Sequence, residues 1–345
     1  MNAAELAVHA PMAWLGPGRI VRGAAVVCDG GAVGYAGDSV NAPEAEEKIE
    51  LDGFLMPAAA DRHVHIALVE AGAVVAGGVT AVRDLGWPAD EIFPLADASE
   101  GPSFNGPLIR AAGPMLCGRG GTPAAARWMP PETTLQVGTP EEGAAAVSRL
   151  ADRGAAQIKV VLEPEVTLDD ATLATICQTA SEHALPVTAH AEGEGELERA
   201  LGAGVSELAH CPSSERLADS LVETMAKAVR IVSTLDVLSY GQDTPEIRTA
   251  LDNLRRFCAA GGRVFYGTDL GRGHVSPGID VRELLLLQEA GLTVEHVLEA
   301  LARSPLEPGA PADILGLEES PFEMLGTFDR PALVVRAGRV VHPSE

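Results

Sequence analysis

The sequence predicts an α/β protein built on a (β/α)8 TIM-like barrel, on three observations. Apolar runs of strand type recur at 54–60, 157–161, 186–190, 207–210 and 264–269. Helix-like stretches separate them, for instance 141–153, 168–183 and 218–229, and such alternation argues for parallel strands joined by crossover helices. The strand-like runs also lead into or carry residues able to meet a metal, and in a barrel of this kind all strand C-termini converge on one mouth. One barrel of about 250 residues with an appendage accounts for a 345-residue chain.

Taken in order, residues 1–54 hold short β segments with glycine-rich turns, such as 24–37. The run 54–60 reads as a buried strand and leads into Asp61-Arg62-His63-Val64-His65. Alternate strand residues share a face, so His63 and His65 project side by side and can hold one divalent metal. Two histidines flanking Val64 equally suit a half-exposed strand edge. The stretch 117–139 is rich in Gly and Pro and reads as a long loop over the barrel mouth. Lys159 lies inside an apolar strand in a chain whose only other lysines are Lys48 and Lys227, which suggests a particular task for it. A lysine whose head emerges at the strand end is the plainer reading. His190 and His210 close two further strands, and each alone suits a satisfied core histidine. Asp269, in Gly267-Thr268-Asp269, also suits a helix cap or turn. Residues 332–341 read as a hairpin.

Composition excludes several classes. A net charge of −24 argues against nucleic acid, since phosphate binding needs clustered Lys and Arg. No apolar run approaches the ~20 residues of a membrane span, and the first 13 residues lack the basic start of a signal peptide. Five cysteines, odd in number and without a C-x-x-C, fit a reduced, cytoplasmic protein.

The set His63, His65, Lys159, His190, His210 and Asp269, in that order, resembles the amidohydrolase superfamily of metal-dependent hydrolases, in its imidazolonepropionase-like and prolidase-like branch. Residues 57–65 look like the family's strand-one D-x-H-x-H motif. Residues 77–86 (Gly-Gly-Val-Thr-Ala-Val-Arg-Asp-Leu-Gly) are similar to its G-V-T-T-V-R-D-L-G segment, and 307–315 to its P-G-x-x-A-D-L return. The resemblance covers nearly the whole chain. It implies a barrel over 55–306 and a small β-sandwich domain built from 1–54 and 307–345.

It further implies two divalent metal ions, zinc in first place with manganese, iron or cobalt as alternatives. His63, His65 and Asp269 hold one, His190 and His210 the other, and Lys159 bridges both as a carbamate formed with carbon dioxide. A water activated between the metals attacks the carbonyl of a small amide or peptide substrate, the bond being a peptide-like or cyclic amide, with Asp269 as general base and then acid. Two departures stand out. Where relatives carry Gly-Gly-His after strand three this chain has Gly120-Gly121-Thr122, so Arg119 or Arg127 would have to substitute. Ala58-Ala59-Ala60 replaces bulkier residues and reads as repacking. Arg119, Glu163, Tyr240, Arg272 and His274 are the loop candidates for substrate contact; an arginine there suits a substrate carboxylate. The alternatives are a mononuclear deaminase or imidazolone-type ring hydrolase, and a non-catalytic barrel relative. Assembly as a homo-oligomer is left open.

Overall fold

The protein is described from a computed structural model, over residues 4–120, 126–127, 129–164, 166–273 and 275–343. In chain order the strands are β1 (Ala4–Trp14), β2 (Ile20–Asp29), β3 (Ala32–Asp38), β4 (Ala45–Glu50), β5 (Phe54–Pro57), β6 (Ala59–Val64), β7 (Val79–Asp84), β8 (Leu108–Ala111) and β9 (Met115–Cys117). There follow β10 (Thr134–Gln136), β11 (Ile158–Leu162), β12 (Val187–Ala191), β13 (Glu207–Leu208), β14 (Arg230–Val232), β15 (Arg263–Phe265), β16 (Ile314–Leu317), β17 (Leu333–Arg336) and β18 (Arg339–His342). The helices are α1 (Ala71–Ala76), α2 (Ala89–Ser99), α3 (Pro140–Asp152), α4 (Asp170–Glu182), α5 (Glu196–Ala203), α6 (Asp219–Ala228), α7 (Pro245–Ala259), α8 (Val281–Glu289) and α9 (Val294–Leu301).

Strands from both ends of the chain form one sheet, in the order β18-β17-β16-β5-β1-β2-β3, with β4 also on β1. The long β1 meets β2 along one edge and, along the other, β4 with its first half and β5 with its second. β5 runs across the boundary expected at residue 54 and pairs antiparallel with β16, closing the return of the chain. The β17–β18 turn needs positive φ at both Ala337 (48°) and Gly338 (76°), as in a type I′ hairpin. A Cβ at Gly338 would fall 2.1 Å from the Gly30 carbonyl oxygen, so only glycine fits there. This sheet has its own core, around Leu6, Val8, Val26, Leu55 and Ile314.

The remaining strands form an α/β arrangement of parallel sheets. One sheet runs β10-β9-β11-β12-β13-β14-β15 and the other β6-β7-β8, and every pairing within them is parallel. β11 is buried throughout, as a strand covered on both faces must be. Hydrogen bonds continue between the two sheets: Arg62 N–H donates to Tyr266 O (3.1 Å), Asp269 N–H to His63 O (2.8 Å) and His65 N–H to Leu270 O (2.7 Å). Helix starts follow local chemistry. Thr139 and Thr244 cap α3 and α7, each followed by proline at the first helical position, and Asp169, Asp280 and Thr293 cap α4, α8 and α9.

The stretch 117–139 is not all loop. Thr134–Gln136 pairs with Met115–Cys117, a three-residue strand that its Gly- and Pro-rich surroundings concealed. The five cysteines are free, and among the described residues no helix is long and apolar enough to cross a membrane.

Candidate metal centre

The site starts with β6. His63 and His65 are buried, and what holds them is mostly main chain. The Asp61 carboxylate accepts from the His63 amide (3.0 Å) and from the amide (3.2 Å) and hydroxyl of Thr268. It therefore ties the strand-one histidines to the turn that carries Asp269. Burial pushes the Asp61 pKa up to about 7 against those bonds. Asp84, at the end of β7, accepts from Ile66 N–H (2.8 Å) and Gly86 N–H (3.1 Å). That places the Gly86 carbonyl 3.0 Å from His65 Nδ1. The Ala209 carbonyl does the same for His63 Nδ1, at 2.9 Å.

With each Nδ1–H donated to a carbonyl, each Nε2 points at Asp269 Oδ1, 3.2 Å from His63 and 3.3 Å from His65. Burial, more than any neighbour, drives the His63 pKa well below its usual value, so its Nε2 bears a lone pair. For His65, burial is outweighed by the Asp269 hydrogen bond and charge, and its pKa rises. For Asp269, burial opposes ionisation, but the surrounding imidazoles, His65 with its raised pKa and its hydrogen bond above all, hold its carboxyl well below the usual range. His63 Nε2 and His65 Nε2 thus converge on one oxygen of Asp269 at 3.2 and 3.3 Å, and nitrogen–nitrogen–oxygen is a donor set suited to a divalent metal. The three ligand atoms lie within 4.8 Å of one another. Asp269 adopts φ +57°, a conformation unusual for a residue with a Cβ, held by the hydrogen bond its N–H donates to His63 O. Glycine is required just before it: a Cβ at Gly267 would lie 2.3 Å from Val232.

Lys159, His190 and His210 come from β11, β12 and the segment after β13. Lys159 is among the largest fully buried side chains. Burial brings its pKa down to about 7; Asp269 and Glu207 oppose the shift and Arg83 adds to it. Its amine is therefore substantially neutral near pH 7, the state able to add carbon dioxide. The His210 ring lies 4.7 Å from His63 and 4.8 Å from His190, centroid to centroid. His210 Nδ1 is held by the Thr234 hydroxyl at 2.8 Å, and burial above all drives its pKa well down. His190 Nε2 meets Glu192 (3.1 Å) and, further off, Glu163 (3.5 Å).

All six residues line one small cavity, together with Met115 and Arg272. A neighbouring cavity of ≈ 90 Å³ shares His190, His210 and Arg272 and is lined further by Glu192, Ser213 and Ser214. Of the loop candidates, Arg272 is the one placed here, with Nη1 3.6 Å from Asp269 Oδ2. Glu163 sits behind His190. Tyr240 packs against Gly273, near Arg272. Arg119 does not line either of these cavities; its guanidinium is 64% exposed and pairs with the Glu142 carboxylate at the α3 N-terminus, at 2.5 Å. His274 lies outside the described residues. Sequence reasoning missed Glu192, Asp84 and Thr234. Glu192 follows His190 by two residues, a same-face spacing that offered a signal; Thr234 offered none.

The fold matches solved structures over nearly its whole length. A candidate prolidase from Bifidobacterium longum is 25% identical, with a TM-score of 0.84 over 99% of this chain and 95% of that one. A. niger ochratoxinase is 20% identical (TM-score 0.81, 98% and 96%), and a Xaa-Pro dipeptidase with methionine in its active site is 19% identical (TM-score 0.80, 97% and 99%). This is an amidohydrolase-superfamily fold. No protein-family model matches the chain, and no curated protein matches it.

Proposed function

We propose that the protein is a metal-dependent hydrolase of an amide bond in a small molecule or peptide. The observation that carries this is the convergence of His63 and His65 Nε2 on Asp269 Oδ1, at 3.2 and 3.3 Å, inside a cavity also lined by the buried Lys159, His190 and His210. Amidohydrolase-superfamily neighbours, prolidase and ochratoxinase among them, support the class. The two parallel sheets, joined at β6, are read as a closed (β/α)8 barrel from β6 to about residue 306, with the segments on either side of it, β5 included, as a small β domain.

On this reading His63, His65 and Asp269 would hold one ion and His190 and His210 a second, and Lys159, as its carbamate, would supply a further oxygen ligand. Zinc suits the mixed nitrogen and oxygen donors. Bound ions supply Lewis acidity for water activation and carbonyl polarisation. The chain does the rest. The Ala209 and Gly86 carbonyls fix the tautomers of His63 and His65. Asp269 accepts the proton of the attacking water and delivers it to the leaving amine. Arg272, at the cavity mouth, orients an anionic or carbonyl group of the substrate.

Metal content per chain, measured with turnover of a dipeptide and N-acyl amide library, tests the reading. Two ions with amide turnover are expected. One ion with ring or amine hydrolysis favours the mononuclear alternative, and none favours the non-catalytic one.

A further inference from the structure

The strand ends opposite the metal centre carry a second concentration of chemistry. Arg230 opens β14 and Arg263 opens β15, and the parallel ladder sets them side by side, with Val232 opposite Phe265. Residues 263 and 265 share a face. Around the Phe265 ring stand four guanidinium groups: Arg62 at 4.7 Å from the centroid, Arg83 at 5.8 Å, and Arg230 and Arg263 at 5.9 Å. The ring face attracts cations but neutralises none of them.

Among the described residues one carboxylate forms an ion pair with this group, Glu207, 2.9 Å from Arg83. Arg62 donates to the main-chain oxygens of Ala60, Ala300 and Ala302 and is balanced only from beyond ion-pair distance, by Glu207 and Asp61. Arg230 and Arg263 are exposed and form no ion pair among the described residues. Two further donors of the group, Arg83 Nε and Gln157 Nε2, are buried and have no acceptor among the described residues. Gln157 is 1% exposed, and its own oxygen is already taken by Arg83 Nη1 at 3.2 Å. A cavity of ≈ 510 Å³ opens beside the ring, lined by Phe265, Arg263, Arg255 and His296, with Glu299 as its one carboxylate. In a chain of net charge −24 such a grouping of like charges is not a consequence of composition.

We propose that this basal cluster binds a small multivalent oxyanion of the phosphate class. Guanidinium forks match tetrahedral oxyanions in bidentate fashion, which a compact anion between Arg230 and Arg263 exploits. A ligand of this size suits the site better than a long polyanion, which the remaining surface charge repels.

The test uses the full chain, with inorganic phosphate as probe and sodium chloride at matched ionic strength as reference. Thermal unfolding and calorimetric titration are measured for the native sequence and for Arg230→Gln/Arg263→Gln. Both side chains are exposed and form no ion pair among the described residues, so the double variant keeps its melting point in phosphate-free buffer. Phosphate at about 100 times its dissociation constant is expected to raise the native melting point by on the order of 4 °C or more. One phosphate should bind per cluster, and the double variant should bind it at least ~10-fold more weakly. Phosphate no better than chloride overturns the proposal. So does a shift that survives intact in the double variant, which would place phosphate at the metal centre.

Discussion

The two halves of the candidate metal centre are built by different means. His63 and His65 donate from Nδ1 to the main-chain carbonyls of Ala209 and Gly86, and their Nε2 atoms converge on one oxygen of Asp269. His210 and His190 lean on side chains instead, the Thr234 hydroxyl and the Glu192 carboxylate. A carbonyl is an acceptor at every pH, so it fixes which imidazole nitrogen keeps its proton. A hydroxyl can donate or accept, and a carboxylate can be protonated, so those anchors set the tautomer less firmly. The first half is preorganised and the second is completed by whatever binds there. Metal affinity should therefore be higher at the His63–His65–Asp269 side.

The sharpest way to break this contrast is to remove a first-half ligand. His63→Ala or His65→Ala is expected to lose one metal and to abolish turnover while circular dichroism stays native. Full metal occupancy with near-normal activity in both variants would defeat the assignment. Next in size is Asp269→Asn, which keeps shape and some ligating ability but cannot take the proton. Turnover should fall by about 10²–10⁴-fold, with metal content falling less than activity; equal turnover at equal metal loading rules out Asp269 as the base.

Lys159→Ala should drop occupancy from two ions towards one, with partial recovery of activity on adding short carboxylic acids. An unmodified lysine in intact mass measured under native conditions, on protein carrying two ions, counts against the carbamate. The pH dependence follows from the same residue. Its pKa lies near 7 rather than at the usual 10.5, so the amine is mostly ammonium below about 7 and mostly neutral above it. Loading of the metal-free protein with metal and bicarbonate should be faster at pH 8 than at pH 6, by roughly 5- to 10-fold from the neutral fraction. A rate that does not change with pH breaks the link between burial of Lys159 and assembly. The smallest effect is expected for Thr234→Ala, which frees His210 Nδ1. Affinity for the second ion should weaken by ~10–100-fold, with the first site unchanged by competitive chelation. Equal weakening at both sites would erase the distinction between the halves.

Much of this was legible because it is local. Strand alternation alone puts His63 and His65 on one face, and threonine or aspartate before a polar helix start marks the caps at Thr139, Asp169 and Thr244. The order of strand-ending residues anticipated a common meeting place, and all six do line one cavity. The Gly- and Pro-rich stretch concealed β10, since three residues give no periodicity to read.

What the sequence by itself determined is the residue types at the strand ends and the faces they share, because a strand's two-residue period is a property of its own backbone. Only the tertiary structure decided which groups hold them and which loop side chains reach them. Arg119 turned to Glu142 while Arg272 turned inward, and Thr234 met His210 across 24 residues of chain. Those choices depend on where distant counter-charges and hydroxyls come to rest in space, and no local pattern encodes that.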